Sequence, residues 1–146
     1  MNTKSSLILI FFRISAFFSK NYFLKFIGFP IRLMYKVIVR NFLAVDIPDS
    51  TKIGRNFKIF HGFGIVIHSD VIIGDYVTVR HCTTIGDSNG KGNIPKIGDN
   101  VDIGSNTVII GNISVGSNVK IGAGSVVIND VPDGCIIVGN PAKSII

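Results

Sequence analysis

The sequence has no tryptophan and no glutamate, and only two cysteines among 146 residues. Two cysteines cannot build a disulfide framework, and Cys82 and Cys135 match no zinc-ligand spacing, so both are expected as buried small hydrophobes in a reducing compartment. No apolar run reaches the roughly 18 residues that a membrane-spanning helix needs. Charged residues are few, 16% against 47% hydrophobic, which excludes disorder as the main state. Proline is sparse, five residues against sixteen glycines, an odd mixture for an ordinary α/β domain.

Acid is missing from a whole segment. Residues 1–45 hold Lys4, Arg13, Lys20, Lys25, Arg32, Lys36 and Arg40 and no aspartate, together with ten of the fourteen aromatic residues. The remaining 101 residues hold eight basic residues and all nine aspartates, a balance of −1. The chain thus reads as a basic amphipathic helical segment (1–45), a second domain (46–131) and a C-terminal tail (132–146). Leu7–Phe12 could pass for the core of a signal peptide, but Arg13 ends it after six residues and no small-x-small cleavage pattern follows, so the segment reads as retained. The stretch Ile31–Phe42 predicts a helix with Pro30 in its first turn. Arg32, Lys36 and Arg40 recur on it every fourth residue as one cationic stripe. Such a helix suits the surface of an anionic membrane, or else packs within its own oligomer with the stripe solvated. No nucleic-acid motif is present, and the basic segment is too apolar for a solvated arm.

A six-residue repeat organises the rest. Positions 73, 79, 85, 97, 103, 109, 115, 121 and 127 carry Ile, Val, Ile, Ile, Ile, Ile, Val, Ile and Val, and Lys91 alone breaks the series. It lies in Asp87–Pro95, a stretch of Ser, Asn, Gly and Lys that reads as an external loop. An earlier block, Ile53, Ile59, Ile65 and Val71, is two residues out of phase with the later one. Six does not fit a 3.6-residue turn, so these residues are not on amphipathic helices. Hexapeptides stack as the three-sided left-handed parallel β-helix, an all-β solenoid, and residues 53–128 give about four coils. The aliphatic side chain points inward, and the glycine or asparagine after it is expected to supply a positive φ at the corner. Four coils bury little core, so self-association is expected, most simply as a trimer, with the tail from Val131 covering a neighbouring edge.

The stretches VDIPDSTKIGRNFKIFHGFGIVI, TIGDSNGKGNIPKIG and NVKIGAGSVVINDVPDGCIIVGNPAK resemble the serine acetyltransferase branch of the hexapeptide-repeat acyltransferases, over about two-thirds of the chain. The short basic N-terminal helices and VTVRHCTTIG bring the chain closer still to candidate colanic acid acetyltransferases, a polysaccharide-modifying offshoot. The resemblance implies acetyl transfer from acetyl-CoA to a hydroxyl, with active sites between the subunits of a homotrimer. It makes His61 the general base and Asp46, fifteen residues earlier, the carboxylate that orients it. The chemistry is sensible: a neutral imidazole can take a hydroxyl proton, and a carboxylate on its other nitrogen fixes the tautomer. Backbone N–H groups at Gly62 or Gly64 could steady the oxyanion. His81 is a candidate for the acceptor pocket, whereas His68 reads as a plain corner residue. The resemblance further implies a groove for the pantetheine arm at Gly104-Ser105 and Gly122-Ala123-Gly124-Ser125. Lys143 would lie near the nucleotide phosphates, with Lys91 assisting. A solenoid wants small corner residues anyway, so these glycines mark the family better than they prove a contact. No metal is expected. The γ-class carbonic anhydrases, which share this fold, pair histidines as His-x4-His, and here the histidine spacings are seven and thirteen.

Two departures bear on the acceptor. Where the serine enzymes carry an aspartate before the catalytic histidine, this chain has Phe60, and where they carry a loop histidine before Pro-Lys-Ile, it has Ile94. Both replacements leave the charged head of serine poorly paired, and an unpaired charge in a closed pocket costs several kcal/mol. The large N-terminal helical domain of those enzymes is expected to be missing. Phe57, Phe60 and Phe63 suit the apolar face of a sugar ring, or else cover a subunit contact. The expected function is acetylation of a sugar hydroxyl in surface polysaccharide, by a cytoplasmic enzyme peripheral to the inner face of the cell membrane. The alternatives are serine O-acetylation for cysteine synthesis and a non-catalytic scaffold solenoid, against which the Asp46–His61 pair argues.

Overall fold

A computed structural model describes residues 3–145. Three helices, α1 (Thr3–Phe18), α2 (Tyr22–Ile27) and α3 (Phe29–Tyr35), precede fifteen short strands, and α3 runs on as a π-helical segment, Lys36–Phe42. The expected helix over 31–42 is thus present but starts two residues earlier and changes its winding at Lys36.

The strands form a three-sided parallel β-helix, as the repeat predicts. One face stacks β1 (Val45–Asp46), β4 (Ile65–Ile67), β7 (Thr84–Gly86), β10 (Val108–Ile110) and β13 (Val126–Val127). The second stacks β2 (Lys52–Ile53), β5 (Ile72–Ile73), β8 (Lys96–Ile97) and β11 (Ser114–Val115). The third stacks β3 (Lys58–Phe60), β6 (Thr78–Arg80), β9 (Asp102–Ile103), β12 (Lys120–Ile121) and β14 (Ile136–Gly139). There are about five coils rather than four, because β1 opens a coil before Ile53 and β14 closes one after Val127.

The pairing register locates both irregularities. Val108 lies beside Val126 and Asp102 beside Lys120, a regular coil of 18 residues. Phe60 lies beside Arg80, 20 residues on, whereas Val66 lies beside Thr84, 18 on. The two-residue slip therefore falls between Phe60 and Val66, at the corner that holds His61. Ile72 lies beside Lys96, 24 on, and the six additional residues are extruded between β7 and β8, where the loop was expected. Inside the loop the Asp87 carboxylate accepts the N–H groups of Asn89 (3.0 Å) and Gly92 (2.7 Å), and these backbone donors hold it below the usual carboxylate range.

Each hexapeptide buries two side chains, the repeat aliphatic and the residue four later. Ile73 and Val77, Ile97 and Val101, and Val115 and Val119 are all inside. On the next corner the second place is Thr83, Thr107 or Ser125, wholly buried. A buried hydroxyl must find a partner. Thr107 donates to the Gly104 carbonyl (2.8 Å), Ser125 to that of Gly122 (2.7 Å) and Thr83 to that of Arg80 (2.9 Å). The glycine that follows the aliphatic residue has a different reason from the one expected. A β-carbon on Gly98 would lie 2.7 Å from the Gly116 carbonyl carbon in the coil above. The positive φ falls two residues later, at Asn100 (54°) and Asn118 (59°).

The helices close one end of the solenoid. Ile8, Phe12, Tyr35 and Val39 belong to the same buried cluster as Ile47, Phe57 and Ile59. Asp49, buried beneath them, accepts hydrogen bonds from Arg32 Nε (2.7 Å), Arg32 Nη2 (3.2 Å) and Ser15 Oγ (2.7 Å). Burial pushes the Asp49 carboxyl up, but these donors outweigh it and hold the group below its ordinary value. Arg13 donates to the carbonyls of Ile53 and Gly54, covering polar groups that edge strand β2 leaves open. Two of the three residues of the cationic stripe are accordingly turned to the solenoid, Arg32 on Asp49 and Arg40 3.0 Å from Asp46, and Lys36 is exposed. At the other end the tail covers the edge of its own solenoid. β15 (Ala142–Ser144) folds back antiparallel on β14.

Candidate functional site

His61 sits on the corner where the register slips. Its φ is 55°, a left-handed conformation uncommon for a residue with a side chain, and its ring is exposed. Beneath it Gly62 is packed so closely on α1 that a β-carbon would lie 2.8 Å from Ile8 Cδ1. The His81 ring stands edge-on to His61, with 5.9 Å between centroids and 83° between planes. His81 Nδ1 is buried with no hydrogen-bond partner among the described residues. The structure thus joins two of the three histidines picked out by the sequence.

Phe60 and Phe63 flank this corner. The Arg80 guanidinium lies 5.9 Å from the Phe60 ring centre and pairs with Asp102, and Lys4 Nζ lies 6.0 Å from the exposed Phe63 ring. Of the two proposed oxyanion donors, Gly64 is already engaged, its N–H donating to the Ala44 carbonyl (2.7 Å). Gly62 is left as the candidate. Ile94 is not part of this corner. It is half-buried and packs on the core at the end of the extruded loop.

Asp46 occupies β1, next to Val66 of β4. Its recorded partner is Arg40, and among the described residues no hydrogen bond joins it to His61. It lines a cleft of about 750 Å³ between the first face of the solenoid and the extruded loop. Arg40, His68, Asp70 and Thr84 share the walls with Asp46, and Asp87 and Gly90 bring in the loop. His68, expected as a plain corner residue, lies on the wall of this cleft. Its Nδ1 accepts the Asp70 N–H (3.2 Å), and its ring borders the cleft. His68 follows Ile67 directly, and its N–H donates to the Ile85 carbonyl, which sets it in register with the glycine that opens the loop.

The residues expected to take the acetyl donor stack on the same corner line as His61. Gly64 bonds to Ala44, Cys82 to Phe63, Asn106 to His81 and Gly124 to Ser105, one rung after another. A β-carbon on Gly104 would lie 2.5 Å from the Ala123 nitrogen, so coil stacking alone accounts for that glycine. One on Gly124 meets nothing within 4 Å, which leaves this corner open on the outside for a slender chain. Lys143 pairs across from Val138 on β15, and Lys91 is exposed in the extruded loop. Among the described residues no group of three His, Cys or Asp side chains is arranged to hold a metal ion, and no helix is long and apolar enough to cross a membrane.

Known proteins resemble the chain in sequence and in fold. A family model described as bacterial transferase hexapeptide (six repeats) matches residues 94–129. An Escherichia coli protein named as a candidate colanic acid biosynthesis acetyltransferase is 45% identical over 116 residues, which are 78% of this chain and 71% of that protein. The mitochondrial serine acetyltransferase 3 of Arabidopsis thaliana is 46% identical over 102 residues, 68% of this chain and 26% of that one. Among solved structures, the soybean serine acetyltransferase apoenzyme superposes with a TM-score of 0.85 at 34% identity, over 99% of this chain and 58% of that one. The Brucella abortus serine acetyltransferase in complex with coenzyme A gives 0.80 at 29% identity, over 94% and 54%. The chain spans little more than half of these solved serine enzymes. With a hexapeptide β-helix and relatives that are acetyltransferases along most of its length, the chain belongs to the hexapeptide-repeat acetyltransferases.

Proposed function

We propose that this acetyltransferase uses acetyl-CoA to acetylate a sugar hydroxyl of a surface polysaccharide or its precursor. The observation that carries the choice of acceptor is the corner at His61. The residue before the base is Phe60, lying against Arg80, and no carboxylate stands at that place to receive the ammonium of an amino acid. A phenyl face beside a base suits a pyranose ring, whose C–H face is apolar and whose hydroxyls point outward. The likeness to the Escherichia coli colanic acid relative supports the same reading.

In this scheme His61 takes the proton of the acceptor hydroxyl as that oxygen bonds to the acetyl carbon, and returns it to the departing thiolate. Acetyl-CoA supplies the acetyl group as an activated thioester, and the open corner at Gly124 with Ser105 and Ala123 accepts its slender arm. Asp46 orients His61 once its carboxylate turns from Arg40. That ion pair is more than half exposed on the arginine side, and such pairs are worth at most about 1 kcal/mol, so the carboxylate is not locked. The N–H of Gly62 is the candidate donor to the developing oxyanion. The enzyme works as a homotrimer, with each site completed by a neighbour, on the cytosolic side where acetyl-CoA is supplied.

Thiol release from acetyl-CoA tests this directly, with free serine, nucleotide sugars and short glycans as acceptors. Turnover with a glycan or sugar and none with serine is expected. His61→Ala should lower it by about 10²–10⁴-fold, the usual contribution of a positioned general base. Turnover with serine would assign the chain to serine acetylation, a reading that the serine acetyltransferase neighbours favour.

A further inference from the structure

We propose that the helical cap docks on the surface of an anionic lipid bilayer, led by an aromatic corner made from the end of α1, all of α2 and the start of α3. The inference goes beyond acetyl transfer and stands without it.

Helix α1 has two apolar faces. Ser5, Ile8, Phe12 and Ser15 are buried against the first coil, and Leu7, Ile10, Ile14 and Phe17, at the same helical spacing, are exposed. The short helix α2 buries no residue at all, and Tyr22 (88%), Phe23 (70%) and Phe26 (79%) stand out from it. Phe29 (63%) continues the same exposed group into α3. An apolar patch of this extent, on a helix layer whose other side is already packed, marks an interaction surface.

Charge identifies the occupant. There is no acid before Asp46. Arg32 and Arg40 are paired with Asp49 and Asp46, and Arg13 with backbone carbonyls, so the lipid-facing set is not the stripe singled out from the sequence. Lys20 and Lys25 remain beside the aromatics, with Lys20 Nζ 5.4 Å from the Phe17 ring centre. Aromatic side chains flanked by Lys20 and Lys25, without acid, match the headgroup region of anionic lipid. A second copy of the chain would bring two acid-free basic faces together, which like charges oppose. Helix α1, at 16 residues, is too short to span, so the cap lies in the interface plane.

The chain has no tryptophan, so Phe23→Trp gives a single reporter. Full-length protein with this substitution is titrated with vesicles of phosphatidylcholine alone and of phosphatidylcholine with phosphatidylglycerol. A blue shift and co-sedimentation with the anionic vesicles only, reversed by high salt, are expected. Phe23→Ser with Phe26→Ser should weaken partitioning at least about tenfold, and Lys20→Gln with Lys25→Gln should do so on anionic vesicles. All four side chains are exposed, and unchanged circular dichroism verifies the fold. An unshifted reporter with all protein left in the supernatant overturns the proposal, as does binding unaffected by the double serine variant. A larger assembly that the serine variant splits, without vesicle binding, assigns the face to a second copy instead.

Discussion

At Gly98 the decisive atom is the one that glycine lacks. The neighbouring backbone at Gly116 leaves no room for a β-carbon, yet the Gly98 backbone angle itself is ordinary. Gly98→Ala should therefore cost about 1–3 kcal/mol in urea unfolding, the range for overpacking a tight site. Were the glycine there for a positive φ, as the repeat alone suggests, the sensitive position would be conformational and not steric. Asn100 has that role, with φ at 54°. The two are separated by one residue and cannot be told apart from letters alone, since spacing shows that a corner exists but not which atom approaches which. His68 illustrates the same limit. Its place in the cleft follows from the ladder of bonds to the next coil, whereas its sequence neighbours give no sign of it.

Besides their apolar contacts, the cap helices hold on through a buried carboxylate, Asp49. Arg32→Ala would leave Asp49 with Ser15 alone, and a loss on the order of 2–3 kcal/mol is expected, somewhat reduced because Arg32 is partly exposed. The sign of the pH effect follows. The folded-state Asp49 carboxyl lies below its ordinary value, so the unfolded chain takes up that proton first. Its stabilisation is complete above the ordinary aspartate range and is lost as pH falls through the depressed value. Acid titration of the helical signal should show this loss in the wild type and not in Asp49→Asn. None of the pairing was legible beforehand. Ser15, Arg32 and Asp49 are joined across 17 and 34 residues with no periodicity, so the stripe on α3 read as solvent- or lipid-facing when its partners lie in the first coil. The strands were legible from Ile73 to Val127, because stacking coils demand one aliphatic residue at a fixed interval.

As a molecule, the solenoid has closed ends and apolar spots on its sides. Val66 and Ile72 are partly exposed on the first and second faces, where a parallel neighbour could cover them. Light scattering should give three times the 15.8 kDa chain mass, and a monomer active at high dilution would sink the idea that sites form between subunits. The candidate site was legible only in part. His61, His81 and the small corner residues fall on one line of the solenoid, whereas Asp46 pairs with Arg40 at 3.0 Å in a cleft of the first face.

The coils also act as a ruler. From the rung of Gly64 to that of Gly124 the corner line climbs three steps, each about 4.8 Å, or about 14 Å in all. Any rod-like ligand that touches both places must match that length, and the protein can change it only in whole rungs. Duplicating one 18-residue coil between them would lengthen the gauge by a single step while leaving every lateral contact in register.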